Sequence, residues 1–182
     1  MDVYRIGYRR FSKNPLSGEG SFLFGGRWSS VGTRVAYTST TLTLAMAEFL
    51  AHVSVEDVDV DDPPALVYVH ATIPDRAART PEQLGIRLPR RWRDVPAPAS
   101  AASVGDTWVA RGASLALIVP SVHVPIETPE RNVLVNPAHR DFPNVHAIVR
   151  GFAYDHRLVA ARARTGETSG KTRPAMPRTQ RT

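Results

Sequence analysis

The chain contains no cysteine among its 182 residues. Without it there is no disulfide framework, no thiolate nucleophile and no Cys-based zinc site. No apolar run approaches the roughly 20 residues that a membrane helix needs. The opening residues Met1-Asp2-Val3-Tyr4-Arg5 lack the shape of a signal peptide. These absences make a cytoplasmic protein away from membranes the expectation. The histidines, at positions 52, 70, 123, 139, 146 and 156, show no paired spacing of the HExxH kind, so no metal site is expected. What is present is enough apolar material for a core, 42% of the chain.

The net charge of +6 suggests nucleic acid until it is located. Arg162, Arg164, Lys171, Arg173, Arg178 and Arg181 stand against a single acid, Glu167, in the last stretch of the chain. The remainder is close to neutral. A nucleic-acid-binding fold carries its charge on its folded surface. The globular part is therefore not expected to bind nucleic acid directly. Residues 160–182 read as a basic, disordered tail, either solvated or contacting an acidic partner, and residues 1–159 as one domain.

Short strand-like runs dominate that domain. They are Val3–Tyr8, Ser21–Phe24, Val35–Thr38, Leu66–Ile73, Leu115–Val119, Val133–Val135, Val145–Val149 and Phe152–Tyr154. Helices are expected over Thr41–His52, behind the capping pair Ser39-Thr40, and over Val104–Arg111, with Asp106 in its first turn. A short helical piece is expected near Pro81–Leu84, and a surface loop over Arg90–Ala102. Strands and helices do not alternate regularly, which indicates an α+β fold.

Several residues invite a chemical reading. In Gly25-Gly26-Arg27-Trp28 the glycines permit a tight turn and a close approach to a ligand, and Arg27 offers a fork suited to phosphate oxygens. The same residues also suit a plain hairpin turn with an exposed Arg. The P-loop ending Gly-Lys-Ser/Thr is missing. Glu48 is the only charged residue between Thr43 and Ala51. A carboxylate in so apolar a helix is costly unless it is paired, protonated or part of a site. Alternatively, Thr41, Ala45, Glu48 and His52 form a stripe that faces water. Ser121 follows a strand and suits a turn as well as a ligand. It has no nucleophile-elbow pattern around it. Asn136 suits either a ligand hydrogen bond or a turn cap.

Taken in order, these pieces resemble the RES-domain family, the toxin halves of RES–Xre toxin–antitoxin systems. The run is Gly25-Gly26-Arg27-Trp28, Val35-Ala36-Tyr37-Thr38-Ser39, the helix with Glu48, Gly105-Asp106-Thr107-Trp108, Val119-Pro120-Ser121, Leu134-Val135-Asn136-Pro137-Ala138-His139 and Phe152-Ala153-Tyr154-Asp155-His156-Arg157-Leu158. The Arg, Glu and Ser that name the domain match Arg27, Glu48 and Ser121. One departure is Ser29, where the family often has Asn.

The resemblance implies a single α+β domain with a mixed, curved sheet, similar to the ADP-ribosyltransferases. It implies NAD as substrate, cut between nicotinamide and ribose by hydrolysis or phosphorolysis, with no resident cofactor and inorganic phosphate as a candidate co-substrate. Growth arrest through NAD depletion follows. Arg27, Glu48 and Ser121 are the implied catalytic residues, and Arg27, Tyr37, Ser121 and Asn136 the implied NAD contacts. The implied partner is an Xre-like helix-turn-helix antitoxin, with a homodimer inside that complex as a further expectation. Protein ADP-ribosylation and a catalytically inactive binding module remain alternatives. Met46 stands where such transferases often carry a second acidic or amide residue.

Overall fold

Short apolar runs, several of them stopped by proline, build one mixed sheet. The computed structural model describes residues 1–52, 65–155 and 157. Strand β1 (Asp2–Tyr8) pairs antiparallel along its whole length with β3 (Leu66–Thr72), and β3 pairs with β7 (Ala147–Phe152). On the other side lie β2 (Ala36–Ser39), β6 (Asn132–Val135), β5 (Ala116–Val119) and the two-residue β4 (Ala78–Arg79). Among the described residues the order is β4-β5-β6-β2-β1-β3-β7, with β4 and β5 parallel and every other pair antiparallel.

The centre of the sheet is buried on both faces. Val133 and Val135 of β6 join Val3, Ala36, Val69 and Ala71 in one apolar cluster. Leu134, between them, points the other way and packs with Leu117, Val119, Trp28, Val104 and Trp108. This two-sided burial explains why β5 and β6 read as continuous apolar runs rather than alternating ones. Strands β1 and β2 share a single register pair, Tyr4↔Ser39. Where they diverge, the Arg5 Nη1 donates to the Tyr37 carbonyl at 2.9 Å, and burial lowers the Arg5 pKa.

Two helices cover the second face. Helix α2 (Leu42–His52) is capped by Thr41, whose Oγ1 accepts the Leu44 N–H at 3.1 Å. The expected caps Ser39 and Thr40 serve the sheet instead: Thr40 exchanges hydrogen bonds with Arg131. Helix α3 (Ala99–Arg111) starts five residues before the expected Val104, because Ala99–Ser103 are good enough helix formers to extend it back to Pro98. Asp106 accordingly sits mid-helix.

The Ser21–Phe24 run is helical, as α1 (Glu19–Phe24), and not a strand. A short apolar run is ambiguous between the two states, and side-chain bonds decide here. Buried Ser21 donates to Gly18 and Thr33 carbonyls and accepts the Val35 N–H, which fixes a compact turn. The two runs expected at Val145–Val149 and Phe152–Tyr154 merge into β7. By compactness, 1–52 and 65–153 form one unit. Of the residues that follow it in the chain, Tyr154, Asp155 and Arg157 are described, and the Arg157 Nε donates to Asp155 at 2.9 Å. The tail expected over 160–182 and the boundary at 159 lie outside the described residues. Among the described residues, no helix is long and apolar enough to cross a membrane.

Candidate active site

The Arg27 turn is built from below by Tyr37. Gly26 and Ser29 face each other as an isolated bridge, the Gly26 N–H reaching the Ser29 carbonyl at 2.8 Å. The Tyr37 hydroxyl, beneath the turn, accepts the Trp28 N–H at 3.0 Å and bonds the Ser29 hydroxyl at 2.9 Å. A Cβ at position 26 would lie 2.6 Å from the Tyr37 hydroxyl oxygen, so only glycine fits. Burial pushes the Tyr37 phenol above its usual pKa, partly opposed by the Ser29 and Trp28 bonds.

Helix α3 presses the same turn from the side. A Cβ on Gly105 would come within 1.8 Å of the Trp28 carbonyl oxygen. Next to it, the Asp106 carboxylate accepts the Ser30 N–H at 3.0 Å. Trp108 is fully buried, its Nε1 donating to Ser114 at 2.9 Å. The Gly105-Asp106-Thr107-Trp108 sequence therefore has a physical reason: it docks a helix on the backbone of the arginine turn.

Arg27 emerges half-buried from this support. Its Nη1 donates to the Trp92 carbonyl and, at 3.0 Å, to the Asp94 carbonyl. Burial lowers its pKa, while the charges of Glu48, Tyr37 and Asp94 oppose that shift. The Glu48 charge therefore acts on Arg27, and the guanidinium stays charged. Among the described residues, Nε and Nη2 of Arg27 have no hydrogen-bond partner, which leaves an edge of the fork for a ligand.

Glu48 reaches from α2 to the ends of β2, β5 and β6. Its Oε1 accepts the Ser121 hydroxyl at 2.7 Å and the Asn132 side-chain amide. Asn132 is itself oriented by Ser39, whose hydroxyl donates to Oδ1 at 3.0 Å. The Ser121 Oγ also accepts the His123 N–H at 3.0 Å. The other carboxylate oxygen, Oε2, lies 3.5 Å from the His123 Nε2. The Glu48 side chain keeps 23% of its exposure, so it is neither a core group nor part of a water-facing stripe. A carboxylate held this way at one oxygen presents the second in a fixed direction.

The structure thus brings Tyr37 against the Arg27 turn and Ser121 against Glu48, and the Glu48 charge acts on both Arg27 and Tyr37. It does not bring Asn136 to them. Asn132 opens β6 and Asn136 follows its last residue, four positions on, or about 13 Å along a strand. Asn136 is 2% exposed, and its Oδ1 accepts the Ala138 N–H at 2.9 Å. It caps the turn after β6, at the far end of that strand from Glu48, and the expectation that it contacts the same ligand is corrected on that ground. Ser121 is also redefined. With its proton on Glu48 and its oxygen taken by His123 it orients the carboxylate, and at 2% exposure it has little surface for a sugar.

Asn132 and His123 are the residues that sequence reasoning missed. A polar amide opening an otherwise apolar buried strand needs a partner, and that signal was available at Asn132. Among the described residues no cluster of potential metal ligands occurs.

The RES domain matches residues 2–157, and the chain belongs to that family. A protein named "Toxin Res" from Yersinia enterocolitica is 33% identical over 160 residues, covering 87% of this chain and 99% of that protein. A "Prs ADP-ribosylating toxin" from a Sphingobium species is 33% identical over 153 residues, covering 83% and 91%. In three dimensions, a chain of the Mycobacterium tuberculosis MbcT–MbcA toxin–antitoxin complex superposes with a TM-score of 0.63 over 90% of this chain and 88% of that one. At 15% identity this likeness establishes the fold.

Proposed function

We propose that this RES-domain protein is a toxin that cleaves NAD at the nicotinamide–ribose bond. Relatives named as toxins, 33% identical over most of their length, support the toxin reading. The observation that carries the chemistry is the clamped Glu48, held at Oε1 by two donors, with its charge acting on Arg27. Breaking the bond spreads positive charge over the sugar carbon and ring oxygen. A fixed carboxylate stabilises that charge without reorganising during the reaction. Nicotinamide leaves neutral, so no strong general acid is needed. The remaining edge of Arg27 suits a pyrophosphate.

The acceptor is water or inorganic phosphate. Water gives ADP-ribose and releases a proton, and phosphate gives ADP-ribose carrying a phosphate on the sugar carbon. No further cofactor takes part. The protein is cytoplasmic and is silenced by an Xre-like helix-turn-helix antitoxin, with a homodimer of the toxin inside that complex. The near-neutral fold does not bind nucleic acid. The test is to strip the antitoxin, supply NAD with and without phosphate, and identify products by mass. Intact NAD in both arms refutes the reading.

A second reading, transfer of ADP-ribose to a protein, is favoured by the name of the Sphingobium relative. Labelled ADP-ribose retained on a protein after denaturation distinguishes it from the two small-molecule products.

A further inference from the structure

One residue faces the Glu48 carboxylate directly at Oε2 and through Ser121 at Oε1, and has no part in the reading above. The His123 backbone N–H holds Ser121, which holds Oε1, and its ring nitrogen faces Oε2 at 3.5 Å. Oε2 is the oxygen left for the substrate, and the ring is 28% exposed toward solvent. We infer that His123 is a positioning residue for NAD cleavage: neutral, its ring steers Oε2, and protonated, it pairs with the carboxylate and cancels the charge that the transition state requires. This inference rests on the NAD-cleaving reading and gives it a pH dependence.

Histidine is the side chain that ordinarily changes charge between about pH 5 and 8. The ionisable groups on the neighbouring elements do not supply the same switch. Arg27, Arg93 and Arg131 stay charged across that range, and Tyr37 stays neutral. Arg93 and Arg131 are also engaged by carbonyls, at Val124 and Ile126 respectively. Glu130 accepts the Thr41 hydroxyl. His52, on α2, bonds the Glu48 carbonyl at 2.8 Å and not its carboxylate. His52 is therefore the control.

The experiment follows kcat and KM for NAD between pH 5.5 and 8.5 in phosphate-free buffer, with water as sole acceptor, for the wild type, His123→Gln, His123→Asn and His52→Gln. The wild type is expected to lose about tenfold in kcat per pH unit on its acid side, as for any single group that must be deprotonated. Both His123 variants should lose the acid limb, with a kcat that is flat across the range, lies below the wild-type alkaline value for want of the steering ring and exceeds the wild type at the acid end, with KM little changed. His52→Gln should keep the acid limb. If the wild type cleaves NAD and either folded His123 variant retains that limb, the inference falls and the proposed function stands. A loss of kcat by the same factor at every pH, with the shape of the wild-type profile kept, makes His123 merely structural and also overturns it. If no variant consumes NAD at any pH, both readings fall together.

Discussion

Replacing Gly105 by alanine tests whether α3 truly braces the arginine turn. The new Cβ would sit 1.8 Å from the Trp28 carbonyl oxygen and 3.0 Å from its carbon, both backbone atoms. Real Cβ contacts start near 3 Å, so helix and turn must part by about 1 Å. Such overpacking typically costs about 1–3 kcal/mol. In a domain of this size each kcal/mol lowers Tm by about 2–4 °C, giving a drop of about 2–12 °C. The activity should suffer more than the stability. The Arg27 guanidinium hangs from that backbone, and about 1 Å of misplacement costs on the order of a hundredfold in rate. Gly20→Ala is the matched control. Nothing lies within 4 Å of its Cβ, and alanine is the better helix former in α1. Calorimetry and NAD turnover on the two variants decide the matter. A Gly105→Ala protein with wild-type Tm and wild-type turnover would refute the bracing argument.

Tyr37→Phe should leave the Trp28 N–H without its acceptor and cost about 1–3 kcal/mol, seen as a lower denaturant midpoint and a raised KM for NAD. Because burial raises the Tyr37 pKa above its ordinary 10.0, its stability contribution is complete below pH 10 and is lost as pH climbs beyond it. The wild type should therefore lose stability on the alkaline side of pH 10 more steeply than Tyr37→Phe, and parallel curves would contradict this. Asn136→Ala should cost about 1–2 kcal/mol through its turn hydrogen bond, with kcat and KM for NAD unchanged. A raised KM would return Asn136 to the binding site.

The elements most legible in the sequence were those whose pattern is local. β1, β3, β5 and α2 announce themselves through apolar periodicity and flanking prolines or caps. α1 is not legible because the three apolar residues Phe22–Phe24 carry no period, and Ser21, whose buried bonds decide the matter, makes them with residues up to fourteen positions away. The cleft was legible where one residue stood out chemically, as Glu48 does in its helix. It was illegible where partnership depends on register. Asn132 reaches Glu48 because Ser39 and Val119 are its ladder neighbours. Asn136, the more conspicuous asparagine in the sequence, lies beyond the other end of the same strand. No reading of the chain alone separates the two without that pairing.

The most direct test of the central claim is Glu48→Gln, assayed for NAD turnover with the antitoxin removed. Glutamine keeps the shape and can still accept the Ser121 hydroxyl, but it lacks the negative charge. The account predicts a loss in kcat of about a hundred- to a thousandfold, with little change in NAD affinity, because the positive charge exists only in the transition state. A Glu48→Gln protein that consumes NAD at the wild-type rate would contradict it.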